Sequence, residues 1–215
     1  MRFHSNCIKL RDILLLLSFF ISGASALIYQ TCWQRSLYSV IGVDIDSITI
    51  IVSVFMLGIG IGGMTGGWLA DRFSNSRLRF YIFAEISIAI YGALSLKILG
   101  HLESILNQIS SNSAGLSALA CIAFLIIPTI LMGMTLPLLT IALNEKRGNI
   151  GVSIGRLYFL NTMGAAAGAA ATPFIFFPNW SLHQVIWIGV AGNLLVAFLA
   201  TASIHWLSSR QGVTV

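Results

Sequence analysis

Six long apolar stretches, each wide enough to cross a bilayer, take up nearly all of the 215 residues and leave almost no room for a soluble domain. A spanning helix needs about 20 largely apolar residues. The polar breaks predict helices at about 13–41, 47–70, 79–100, 115–143, 150–173 and 182–207. A membrane barrel would show short segments of alternating polarity, whereas Ile48 to Leu69 is apolar or small on every side. The expected fold is an all-α integral membrane bundle, flanked by cytoplasmic segments 1–12 and 208–215. Composition excludes an ordinary soluble domain, since 57% of residues are hydrophobic and 9% charged, against roughly 25% charged in soluble proteins.

Charge sets the direction. Arg2, Lys9 and Arg11 precede the first span, Arg72, Arg77 and Arg79 follow the second, Lys146 and Arg147 follow the fourth, and Arg210 follows the sixth. The opposite loops carry Asp44 and Asp46, then His101 and Glu103, then no charge between Pro173 and Leu182. By the positive-inside bias both termini are cytoplasmic, in the inner (plasma) membrane. The net charge of +5 thus reflects topology and gives no reason to expect nucleic-acid binding. One competing reading is a secretory signal, because a basic start, Leu14–Ile21 and Ala24-Ser25-Ala26 imitate one. The apolar run continues through Leu27, Ile28, Trp33 and Val40, which makes a longer helix the simpler account.

Cys7, Cys32 and Cys121 are scattered, as are His4, His101, His183 and His205, so neither set predicts a metal site, a disulfide or a cofactor. Small residues say more. Gly58, Gly62 and Gly66 recur at four-residue spacing in the second span, with Gly63 and Gly67 as a second ladder. The fifth span repeats the device with Gly164, Gly168 and Thr172, filled in by alanines. Close backbone approach drives helix association in lipid, so helices two and five are expected to form the tightly packed centre. Gly58, Gly60 and Gly63 match a nucleotide fingerprint, but inside a spanning helix their amides are not free to meet a phosphate. Pro128 and Pro137 predict a kink or tilt in the fourth span. Helices two and five hold corresponding places in a three-plus-three division and run oppositely, as in an inverted repeat.

Ionisable groups inside a span cost on the order of 3 kcal/mol on insertion scales, so each needs a reason. Glu85 and Arg156 are expected at similar depth, and an ion pair between helices three and five is the predicted arrangement. A structural clamp and a proton- or substrate-linked site both fit such a pair. Tyr29, Gln30 and Trp33 lie together in helix one, where Ser22, Ala26 and Gln30 form a ladder, and Asn161 and Thr162 lie mid-span in helix five. These fit interhelical hydrogen bonding or, alternatively, a polar and π-rich lining for a cationic ligand. Arg35 and Lys97 sit where snorkelling explains them, and Trp68 and Trp206 suit the cytoplasmic aromatic belt.

Gly67 to Arg72, followed by Arg77, looks like the cytoplasmic loop motif of the major facilitator transporters, with Asp71 at a helix end followed by Arg72. Taken with Ser22 to Gln30, Trp33, Arg35, Pro128, Met132 to Pro137, Gly155 to Tyr158 and Asn161 to Gly164, the motifs resemble the membrane portion of the fused, major-facilitator-like spermidine synthase family. The resemblance implies a six-helix, half-facilitator bundle. In that family a soluble aminopropyltransferase domain usually follows the membrane helices. Among seven acids here, no cluster outside the bilayer would grip decarboxylated S-adenosylmethionine. That domain is expected to be absent, so no catalytic residue carries over and the chain alone is not expected to transfer an aminopropyl group. Three functions remain open: a membrane module that anchors or couples to a separately encoded polyamine-synthase-like partner; a small transporter of a polyamine or other small molecule, as a homodimer completing two facilitator-like halves; and a membrane enzyme or an inactive remnant.

Overall fold

The computed structural model describes residues 2–43, 45–109, 114–144 and 150–211, all of them helical apart from short turns. The six principal helices are α1 (Arg2–Ile41), α2 (Ile45–Arg72), α3 (Arg77–Ile109), α4 (Ala114–Asn144), α5 (Ile150–Ala171) and α6 (Leu182–Gln211). Among the described residues, six helical stretches are long and apolar enough to cross a membrane. The described helices extend beyond most of the expected bounds, α1 running back to Arg2 through the expected N-terminal segment. It also passes unbroken through Ala24, Ser25 and Ala26. Lys146 and Arg147 lie outside the described residues, as do the side chains of Lys9, Arg11, Trp206 and Arg210.

Backbone punctuation explains the joints. Gly42, with φ 88°, lets the chain leave α1 in a left-handed conformation that a side chain would strain. Between α2 and α3, a single 3₁₀ turn spans Ser74–Ser76. Helix α5 continues past Thr172-Pro173 through a π-helical turn, Thr172–Phe176, and a last turn, Phe177–Asn179. A wider turn accommodates Pro173, whose missing N–H cannot complete the α-helical ladder. Helix α4 stays one continuous helix through both Pro128 and Pro137.

The helices pack in pairs. α2 lies on α4, α1 lies on α5 and α6, and α3 lies on α4 and α6. This pattern maps onto itself when α1 is exchanged with α4, α2 with α5 and α3 with α6. The glycines give it atomic register. A Cβ on Gly62 or Gly66 of α2 would collide with Ile130, Gly133 and Met134 of α4, and one on Gly164 or Gly168 of α5 would collide with Phe20 and Ala24 of α1. Reciprocally, a Cβ on Gly23 of α1 would strike the Asn161 carbonyl, and one on Gly133 of α4 would strike the Ile59 carbonyl. Phe20, Gly23 and Ala24 keep the spacing of Ile130, Gly133 and Met134, while Ile59, Gly62 and Gly66 keep that of Asn161, Gly164 and Gly168. The inverted three-plus-three arrangement thus has a residue-level counterpart.

Helices two and five are not the centre. The most apolar window of α1 is 50% buried, whereas those of the α2 and α5 spans are 28% and 17% buried. Glycine shortens the distance to one neighbour without adding neighbours, so each small-residue helix packs chiefly on one central helix and leaves much of its surface open. The second ladder illustrates this: a Cβ on Gly63 or Gly67 would meet nothing within 4 Å, and the same holds for Gly60.

Candidate functional site

A cavity of about 240 Å³ opens where α1 and α4 meet their flanking partners, α5 and α2. Its walls are largely apolar, including Phe19, Phe55, Ile59 and Leu136. Its polar edges come from Ser22 of α1, Asn161 of α5, Thr135 of α4 and Asn193 of α6. Gly23 and Gly63 help make the space, since neither projects a side chain into it.

Behind the polar edge lies a buried carboxyl group. Glu85 of α3 is 0% exposed. Ser22 Oγ donates to its Oε1 at 2.7 Å, and Asn193 Nδ2 donates to its Oε2 at 2.6 Å. Three helices, α1, α3 and α6, therefore meet on one acid. Tyr81 stands one turn earlier on α3, its buried hydroxyl close to Glu85 and Ser18 but without a hydrogen bond of standard geometry. Asn193 is 2% exposed, and with Nδ2 committed to Glu85 its Oδ1 has no partner.

This arrangement replaces the expected Glu85–Arg156 pair. Arg156 is exposed on α5, and the contacts of α5 run to α1 and α4, not to the α3 helix that carries Glu85. Similar depth along two helices does not bring side chains together when another helix stands between them. Neutral donors satisfy Glu85 instead.

The aromatic residues of helix one also lie elsewhere. Tyr29 and Trp33 are buried and stacked, with ring centroids 5.1 Å apart, and Trp33 meets Tyr91 and Phe124 edge-on at 5.7 and 5.6 Å. Gly92 and Gly189 leave room for the Tyr29 ring. These rings form core rather than cavity wall. Of the expected ladder, Ser22 and Ala26 line the cavity and Gln30 does not. Asn161 does line it, while Thr162 is exposed. Arg35 places its guanidinium 4.7 Å from the Phe177 ring, a cation–π contact far from Glu85 along α1.

At the α2–α3 joint the residues of the loop motif lie as follows. Asp71 is exposed within the last turn of α2, where a carboxylate gains nothing from the helix dipole. Arg77 caps that end instead, its Nε donating to the Ala70 carbonyl at 2.7 Å. Arg72 lies 5.9 Å from the Trp68 ring, and Gly67 is open to its surroundings. A second, wider cavity of about 520 Å³ lies on the far side of α4, lined by Leu69, Phe80, Phe83 and Arg79 among others. Its wall lacks the convergent polar groups of the first.

Glu85, Ser22 and Asn161 stand out in the sequence as polar groups within spans, whereas Asn193 and Tyr81 carry no such expectation. The signal for Asn193 was present, as an amide set between Gly192 and Leu194 in an otherwise apolar span. Nothing in the linear sequence assigns it to Glu85.

Comparison with known proteins adds one relationship. Over 172 residues the chain is 23% identical to a polyamine aminopropyltransferase of Oceanobacillus iheyensis, covering 80% of this chain and 31% of that protein. The chain therefore matches about a third of that relative's length. No family model matches the chain, and no solved structure matches it.

Proposed function

We propose that this chain is a multi-pass membrane module of the polyamine-synthase type, which anchors or couples to a polyamine-synthase-like partner at the plasma membrane. The observation that carries the reading is the match over 80% of the chain to a polyamine aminopropyltransferase, together with six helices of spanning length. In this reading both termini are cytoplasmic, where the partner acts, and the bundle is a half-facilitator. The polar groups of the bundle interior hold or present a small molecule to the partner rather than perform aminopropyl transfer themselves.

Reconstitution tests it. The purified chain in proteoliposomes is mixed with a soluble polyamine aminopropyltransferase, putrescine and decarboxylated S-adenosylmethionine. Flotation of the enzyme with the liposomes and a raised spermidine yield are expected; no association, or spermidine formed by the chain alone, overturns the reading. Reporter fusions after Gln108 and after Lys146 test the orientation, with outside and inside locations expected respectively.

A second reading, a small facilitator-like transporter acting as a homodimer, draws support from the two-fold helix exchange and from the cavity at its centre. Its test is counterflow of labelled putrescine into proteoliposomes holding the chain alone.

A further inference from the structure

The wider cavity on the far side of α4 has a cause in the packing. A single 3₁₀ turn joins α2 to α3, yet each of these helices lies on α4 and hardly on the other. They leave a cleft between them, floored by Leu131 and Met134 of α4 and walled by Leu69 of α2 and Phe80 and Phe83 of α3.

Polarity changes along this cleft. Arg79 lines it from the first turn of α3, at the end nearest the joint. Deeper in, Met134 is level with Gly66 of α2, and Ile130, beside Leu131, is level with Gly62. Gly62 stands ten residues before the end of α2. At about 1.5 Å per residue, the far end of the cleft is roughly 15 Å below the joint. That is half of a hydrocarbon core roughly 30 Å thick, the depth of one leaflet.

The charge at the top is uncommitted. Of the three arginines at the joint, Arg77 donates to the Ala70 carbonyl and Arg72 lies over the Trp68 ring. Arg79 is exposed and has no hydrogen-bond, ion-pair or ring partner among the described residues. A cation at a membrane surface above an apolar cleft one leaflet deep matches the two ends of a phospholipid. Hydrocarbon gains little by passing from lipid to an apolar protein wall, so the cleft positions a chain while the headgroup decides which lipid stays. A guanidinium is a two-pronged donor suited to phosphate oxygens, and a basic pocket between spanning helices favours an anionic headgroup.

We propose that the cleft between α2 and α3 binds an anionic phospholipid, one acyl chain lying on Leu131 and Met134 and the phosphate held by Arg79. The site goes beyond the module reading and shares no residue with the cavity beside Glu85. The bound lipid fills the gap that the packing leaves between α2 and α3.

The test is native mass spectrometry of the delipidated full chain in detergent, titrated with dioleoyl phosphatidylglycerol and, as a zwitterion with the same chains, dioleoyl phosphatidylcholine. Phosphatidylglycerol is expected to bind about fivefold more tightly, the effect of one cation near an anionic headgroup. Arg79→Gln changes an exposed side chain, and is expected to remove that preference while leaving phosphatidylcholine binding and the melting temperature as they are. Arg79→Lys is expected to restore part of it. Arg156→Gln removes an exposed cation outside the cleft and is expected to keep it whole. Leu131→Trp fills the floor and is expected to weaken both lipids; Arg79→Gln decides the matter even if this variant fails to fold. Excess glycerol phosphate, which has the anion without the chains, is expected not to compete. Equal binding of the two lipids by wild type, or a full preference kept by Arg79→Gln, overturns the proposal. Displacement by glycerol phosphate would make this a bare phosphate site, and a dimer that excludes lipid would make it a contact between two copies; either result also overturns it.

Discussion

Where α1 meets α5, Gly23 lies against the backbone carbonyl of Asn161; where α4 meets α2, Gly133 lies against that of Ile59. The backbones approach in the same way at both places, through glycines at the same spacing, yet the side chains do not match. Beside the first contact stand Ser22, Asn161 and, one helix away, Glu85. Beside the second stand Ile59, Met132 and Leu136, with Thr135 as a polar neighbour. Packing in a bundle of apolar helices is set by small residues, which both contacts retain, while chemistry needs only one of the two contacts to be rich in polar groups. The cavity is thus framed by a near-symmetric scaffold and polar mainly toward α1, α5 and α6.

The scaffold half of that comparison breaks most easily at the glycines. Gly62→Leu and its counterpart Gly164→Leu each force a branched side chain into a neighbouring backbone and are expected to cost about 3 kcal/mol, measured by thermal or denaturant unfolding in detergent. Gly60→Leu and Gly67→Leu, where an added Cβ meets nothing, are expected to stay within about 0.5 kcal/mol of wild type. A smaller loss tests the chemical half. Glu85→Ala leaves Ser22 and Asn193 without their acceptor and is expected to cost about 2 kcal/mol. The smallest effect falls on Arg156→Gln, expected to change stability by less than about 0.5 kcal/mol, because the side chain is exposed. Combined with Glu85→Gln it is expected to be additive; a coupling energy above about 0.5 kcal/mol would restore the ion pair that the structure replaces.

Much of the fold was legible because length and apolarity are one-dimensional. Six spans and a continuous α1 through Ala24-Ser25-Ala26 follow from counting residues between polar breaks. The glycine ladder was legible too, but its meaning was not. Gly58, Gly62 and Gly66 indicate that some helix comes close without saying how many, and α2 proves to be a flanking helix pressed chiefly on α4. The site was half legible for the same reason. Glu85 stands out as an acid in an apolar run, whereas depth and sign of charge point to Arg156 as its partner rather than to a neutral amide. Asn193 is 108 positions away in sequence, and only the contact of α3 with α6 brings the two together. At the α2 terminus the same holds: the loop motif names Asp71 and Arg77 without showing that Arg77 reaches back to the Ala70 carbonyl.

The exchange of α1 with α4 and α2 with α5 is the claim on which the cavity depends, and Gly23→Ala beside Gly133→Ala tests it most directly. Each adds one methyl group against a partner's backbone carbonyl, so unfolding of the two variants measured side by side is expected to show the same loss, about 1–2 kcal/mol, within experimental error. A large loss for one variant with an unchanged melting temperature for the other would contradict the paired arrangement.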